Sequence, residues 1–244
     1  MANKFKFILT LSLTLLLIGF YLYFSKGSYY IDEKTLISLS GFSSTLPFGV
    51  ITHFFVHVSP THLIGNLLFL IVFGLFIENN FEKRDYLLIL FSSMIISSLA
   101  FILLNPGNYL VGASLGIAGL LGATLAFRPL FGLSLLLLVF FLSPLIINPI
   151  SSFVNSATSQ QQVQLQQEKQ NLVSQISNLT AENKSTQVVQ QKLNTTLDNL
   201  NKLEKAKEIA KAPESTSAHL ISFAIGFLFV GFFKKKGFWT TEKL

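Results

Sequence analysis

Four polar residues stand inside or at the edges of apolar stretches, where polar side chains are costly and mark function: His62, Asn66, Ser114 and His219. Their types are those of acyl transfer. A serine hydroxyl is a poor nucleophile until a base removes its proton, and a neutral imidazole is the usual base. Ser114 with His219 would form such a couple. The tetrahedral oxyanion that follows attack needs hydrogen-bond donors. His62 and Asn66 are four residues apart and would share one helix face, and the backbone N–H of Ser114 at a helix N-terminus would add another donor. No acidic residue lies inside the apolar stretches near them, so a Ser–His dyad is expected and not a triad. The plainer readings are a serine that only packs between helices and a histidine at a helix end.

His53 and His57 are spaced i, i+4 and could join His62 at a metal. Zinc wants three or four ligands, and the chain offers no cysteine or nearby carboxylate there. Structural hydrogen bonds in the segment before Pro60 fit better. No metal and no cofactor are expected.

The elements that must position these groups are set by composition. Hydrophobic residues make up 50% of the 244, the mean hydropathy is +0.55, and charged residues are only 12%, about half the share in soluble domains. The apolar residues come in runs near bilayer length, so the solvent for most of the chain is lipid. The absence of cysteine excludes disulfides and thiolate metal sites. The net charge of +6 does not indicate nucleic acid, because the basic residues cap apolar runs and form no single patch.

Six such runs are readable: Phe5–Phe24, His62–Ile77, Tyr86–Leu104, Gly112–Phe127, Leu130–Ile147 and Ser217–Phe233. The first follows Lys4 and Lys6, lacks a small-x-small cleavage site, and reads as an anchor. In a six-span arrangement Lys4, Lys6, Lys83, Arg84, Arg128 and Lys234 to Lys236 all fall on one side. The positive-inside rule makes that side the cytoplasm and places both termini there, against the weaker outer bias of Lys26 and Lys34. Alternate spans run in the same direction. His62, Ser114 and His219, each at the start of its run, are therefore expected at similar depth below the outer surface.

Residues 1–150 read as a membrane core of five spans, 151–213 as a polar insert on the outer face, and 214–244 as the sixth span with a basic tail. Within the insert Leu165, Leu172, Leu179, Thr186, Leu193 and Leu200 recur every seventh residue, a coiled-coil-like helical period. Both ends must return to one membrane surface, so a helical hairpin turning near Asn183–Ser185 is expected. A disordered polar loop and a dimeric coiled coil are the alternatives. Pro144 and Pro149 would weaken the fifth span next to it, which makes that span a gate. The insert is expected to recruit substrates or partners, to self-associate, or to restrict entry.

Gly112-Ala113-Ser114-Leu115-Gly116 matches G-x-S-x-G, but that elbow needs a strand before the serine and a helix after it. No strand is readable. Gly112, Ala113, Gly116, Gly119 and Gly122, together with Ser222 and Gly226, instead suggest close helix packing.

Thr52 to Asn66, with three spaced histidines and an asparagine four residues after the last, resembles the second-span signature of the rhomboid family. Glu78 fits that family's acidic position. Val111–Gly122 resembles the fourth-span motif, and Ala218-His219 with Gly226 the sixth. The likeness covers the spans and not the insert. It implies an all-α membrane protein, a six-transmembrane-helix rhomboid-like bundle, acting as a serine endopeptidase that cleaves membrane proteins in or near their transmembrane segments. It implies Ser114 as nucleophile, His219 as base, and His62 and Asn66 at the oxyanion. Three departures stand out. Leu115 and Ser222 occupy positions where the family usually has glycine, and the Trp-Arg pair of the first outer loop is absent, the single tryptophan being Trp239. Leu115 is the main support for a second reading, an inactive rhomboid-like protein that binds membrane clients.

Overall fold

The computed structural model describes residues 7–210 and 216–235. Lys4, Phe5, Lys6, the 213/214 boundary, Lys236 and Trp239 lie outside the described residues. Among those described, regular structure is helical: α1 (Ile8–Ser25), α2 (Glu33–Leu39), α3 (Gly49–Thr52), α4 (Pro60–Asn80), α5 (Lys83–Leu104), α6 (Ser114–Phe127), α7 (Pro129–Ala181), α8 (Gln187–Ala210) and α9 (Thr216–Lys235). The one extended pairing among the described residues is an isolated bridge between Gly41 and Leu110.

Of these helices, α1, α4, α5 and α7 are long and apolar enough to cross a bilayer, whereas α6 and the Thr216–Phe232 part of α9 are shorter apolar helices. The expected fourth span therefore begins later than Gly112. Its 14 helical residues cover only about 21 Å at 1.5 Å per residue, less than a hydrocarbon core of roughly 30 Å. Gly112 has φ +99° and cannot be part of the helix, so the chain enters α6 from a loop.

Sequence chemistry explains the local starts. Ser59 accepts the His62 N–H at 3.2 Å and Pro60 sits in the first turn, so α4 begins with a side-chain cap and a fixed φ. The start of α1 has no cap from its own residues. Glu78, buried near the end of α4, fills that role: its two carboxyl oxygens accept the N–H groups of Leu9 and Thr10 at 2.8 and 2.9 Å. A helix start away from water needs such a partner, because an orphaned backbone donor there costs several kcal/mol.

Helix α6 is the hub, with Leu115, Gly116, Ile117, Gly119, Leu120, Gly122, Ala123 and Thr124 all buried. Its approach to α9 is backbone to backbone. A methyl group added at Gly226 would collide with the Gly119 carbonyl, and one at Gly122 with the Phe223 carbonyl. The Ser222 hydroxyl donates to the Leu115 carbonyl across the same seam.

Helix α7 runs unbroken for 53 residues, with Pro144 and Pro149 inside it, so the 150/151 boundary drawn from composition falls within one helix. The chain turns at residues 182–186, with Asn183 at φ +52°, and α8 returns along α7. Leu172, Leu193, Leu200 and Leu203 are buried in this pair.

Two histidines hold the loop that delivers Ser114. The His53 carbonyl accepts the Gly112 N–H at 2.8 Å, and His53 Nδ1 lies 3.2 Å from the Gly112 carbonyl. The other ring nitrogen, Nε2, lies 2.7 Å from the Ser98 hydroxyl, which itself donates to the Met94 carbonyl at 2.6 Å. The Ala113 N–H points at His57 Nε2, 3.5 Å away. Burial pushes the His53 imidazole down to about 4, and burial followed by the neighbouring His62 pushes His57 well below the ordinary histidine value. Both rings are neutral at pH 7.

Replacing Glu78 by Ala should destabilise the protein by about 1–3 kcal/mol, with Glu78→Gln intermediate because one acceptor oxygen remains; thermal unfolding in detergent that ranks the two variants equally would refute the cap. For His53, only the unfolded chain binds the proton between about 6.5 and about 4. Stability therefore falls as pH is lowered through that window, by about 1.4 kcal/mol per unit for one such group, and levels off below it. Thermal unfolding from pH 7.5 to 4 should lose part of this limb in His53→Gln, which cannot titrate. A profile that the substitution leaves unchanged would assign the limb elsewhere.

Candidate functional site

The first turns of three helices meet. His62 is the third residue of α4, Ser114 the first of α6, and His219 the fourth of α9. Together with Asn66, one turn further along α4, they line a single cavity of about 470 Å³. All four residues singled out in the sequence face this space. Thr61, Gly65 and Phe69 extend the α4 side, Ile117, Ala118 and Leu121 the α6 side, and Thr216, Leu220 and Phe223 the α9 side. Ile147 of α7 closes the remaining flank. The walls are largely apolar, so the four polar groups are concentrated in a pocket that is otherwise hydrocarbon-like.

His219, Ser222 and Gly226 are spaced i, i+3, i+7 and form one stripe of α9. The lower two contact α6 directly, which fixes the height of His219 on the wall of the cavity it shares with Ser114. The start of α6 is set by the Gly112 clamp. Gly112 is required there twice over. Its φ of +99° is a glycine conformation, and an added Cβ would lie 2.7 Å from His62 Nε2 and 3.5 Å from Asn66 Nδ2. The same contact presses the loop before Ser114 onto His62 and Asn66.

The donors converge in consequence. Asn66 Nδ2 donates one hydrogen to the His62 carbonyl at 3.0 Å, and its second N–H remains for a ligand in the cavity. The Ser114 N–H is a first-turn amide with no partner inside its own helix. The positive end of α6 points the same way and favours a developing negative charge. A hydroxyl, an imidazole and several donors thus share one largely apolar pocket, an arrangement able to stabilise a tetrahedral oxyanion.

Leu115 follows Ser114 but turns away from the cavity. Its side chain is fully buried among Val50, Phe101, Ile102, Leu110 and Ala218. Two of the three departures from the rhomboid pattern also meet each other, since Ser222 donates to the Leu115 carbonyl. Neither narrows the cleft.

Sequence reasoning did not select Ile147, Thr61, Gly65 or Thr216 as cavity wall, and apolar or small residues at span ends carry no signal that could have done so. It gave His53 and His57 structural hydrogen bonds in the loop without naming their partners, Gly112 and Ala113. Among the described residues no group of three or more histidine, aspartate or glutamate side chains is placed to hold a metal ion.

The Rhomboid domain matches this chain over residues 44–179. A curated relative, Rhomboid-like protease 3 of Toxoplasma gondii, is 32% identical over 104 residues, which cover 41% of this chain and 40% of the relative. The match thus spans about two fifths of that relative's length. No solved structure matches. Because that domain accounts for more than half of its length, on an all-helical scaffold with several bilayer-length apolar helices, the chain belongs to the rhomboid family.

Proposed function

We propose that this protein is an intramembrane serine endopeptidase cleaving other membrane proteins in or near their transmembrane segments. The observation that supports it most is the convergence of Ser114, His219, His62 and Asn66 on one cavity. In this reading α6 and α9 are the short fourth and sixth spans of a six-span bundle. Both termini are cytoplasmic, and the cavity opens toward the outer face. The α7–α8 hairpin projects from that face, where it can meet a partner or a second copy.

His219 takes the proton from the Ser114 hydroxyl as Oγ attacks the scissile carbonyl carbon. The carbonyl oxygen becomes an oxyanion held by the Ser114 N–H, Asn66 Nδ2 and His62. Collapse breaks the C–N bond, and the imidazolium returns its proton to the leaving amine. A water, deprotonated by His219 in turn, releases the acyl group and restores Ser114. The chemistry needs no metal or cofactor. A helical peptide bond has its carbonyl shielded, so the substrate segment must unwind before it reaches Ser114. Glycine or proline near the outer interface of the substrate makes that step easier.

In purified protein, a fluorophosphonate probe should label the parent and not Ser114→Ala, and labelling of His219→Ala should be lost or nearly so. Cleavage of a reconstituted transmembrane substrate should follow the same order. Asn66→Ala should lower kcat/KM by about 10²–10³, the loss expected of one oxyanion donor. A parent that binds membrane clients but neither labels nor cleaves would overturn the proposal in favour of an inactive binder.

A further inference from the structure

Helix α7 has, between residues 140 and 149, the properties that the proposed reaction demands of a substrate. Pro149 carries no N–H, so the Leu145 carbonyl four residues earlier loses its helical donor. Pro144 does the same to the Phe140 carbonyl. The two carbonyls fare differently. Phe140 is served again by the Ser143 hydroxyl, which donates to it at 3.3 Å. No side chain among the described residues does so for Leu145. Such a carbonyl is costly in hydrocarbon, and it is already released from the helical hydrogen bond that shields a peptide bond from attack.

Neighbouring helices do not cover it. Between Val139 and Val154 no residue of α7 is buried, and the Leu145 side chain is 71% exposed. Its depth follows from the fold. Ile147 lines the cavity that holds Ser114, and Leu145 lies two residues away, about 3 Å along the helix axis. Copies of the chain in one bilayer share one orientation, so Leu145 of any copy lies near the depth of Ser114 in its neighbours. Leu145 and Ile147 are separated by about 200° around α7. Leu145 therefore points away from its own cavity and into lipid, where another molecule can meet it.

We infer that a second copy of this chain is a substrate, the Leu145–Ile146 bond of one molecule being cut by Ser114 of another. Self-cleavage rests on the protease reading and names a substrate for it. Ser114 Oγ bonds to the Leu145 carbonyl carbon, the C–N bond to Ile146 breaks, and His219 delivers the serine proton to the Ile146 nitrogen. Water then releases the acyl group, which leaves a carboxylate at Leu145 and an amine at Ile146. The cut parts α1 to α6 from the hairpin and from α9 with its His219. Because two molecules must meet, its rate rises with the density of the chain in the membrane.

Active parent co-reconstituted in liposomes with an epitope-tagged Ser114→Ala copy should cut the tagged copy. Mass spectrometry should read a new C-terminus at Leu145 and a new N-terminus at Ile146, and added lipid should slow the reaction. Pro149→Ala in the tagged copy supplies the N–H that Leu145 lacks and should slow the cut about tenfold. Pro144→Ala, which supplies one to Phe140 instead, should change it little. An intact tagged copy, beside a parent that labels with fluorophosphonate and cleaves an unrelated transmembrane substrate, would overturn self-cleavage and leave the protease reading standing. So would a cut at another bond, an unchanged rate in Pro149→Ala, or fragments from the tagged copy incubated alone. A parent that neither labels nor cleaves any substrate would sink both.

Discussion

The structure depends on the backbone contact between α6 and α9. Helices in lipid gain nothing from hydrophobic exclusion of each other, so association rests on packing and on polar contacts across the seam. Gly119, Gly122 and Gly226 remove the side chains that would hold the two helices apart, and Ser222 adds a hydrogen bond to the Leu115 carbonyl. Ser114 and His219 lie just above this seam on the same two helices. The approach of Ser114 and His219 to one cavity is thus set by the packing of these two helices.

A second constraint acts at the start of α6. The loop must leave an extended path and enter a helix while its amides stay aimed at the cavity. Polar groups are expensive here unless partnered, so the loop is held by neutral imidazoles and not by ions. His53 engages both backbone groups of Gly112, and His57 receives the Ala113 N–H. Burial keeps both rings uncharged, which lets His57 Nε2 accept the Ala113 N–H. Glu78 solves the same problem at the opposite end of α4 by serving the first amides of α1.

The hairpin differs in kind. Its arms are polar, its interface is a ladder of leucines, and its root is the upper part of a membrane helix. Pro144 and Pro149 flank Ile147 within this helix.

The sequence alone determined the helical membrane class, the family likeness, and the four residues around which the site is built. Those features rest on local properties: apolar run length, residue type, and motif spacing along single helices. The seven-residue leucine spacing was legible for the same reason. Only the tertiary structure decided which wall Ile147 forms, that Gly112 is wedged between His53 and His62, that Leu115 faces away from the cavity, and that the hairpin root meets Tyr29 and Tyr30. It also decided that α6 starts two residues after Gly112 and that α7 ignores the change in composition at 150. Each of these depends on contacts between residues distant in the chain, where apolar and small side chains are interchangeable by type and only the mutual approach of helices selects among them.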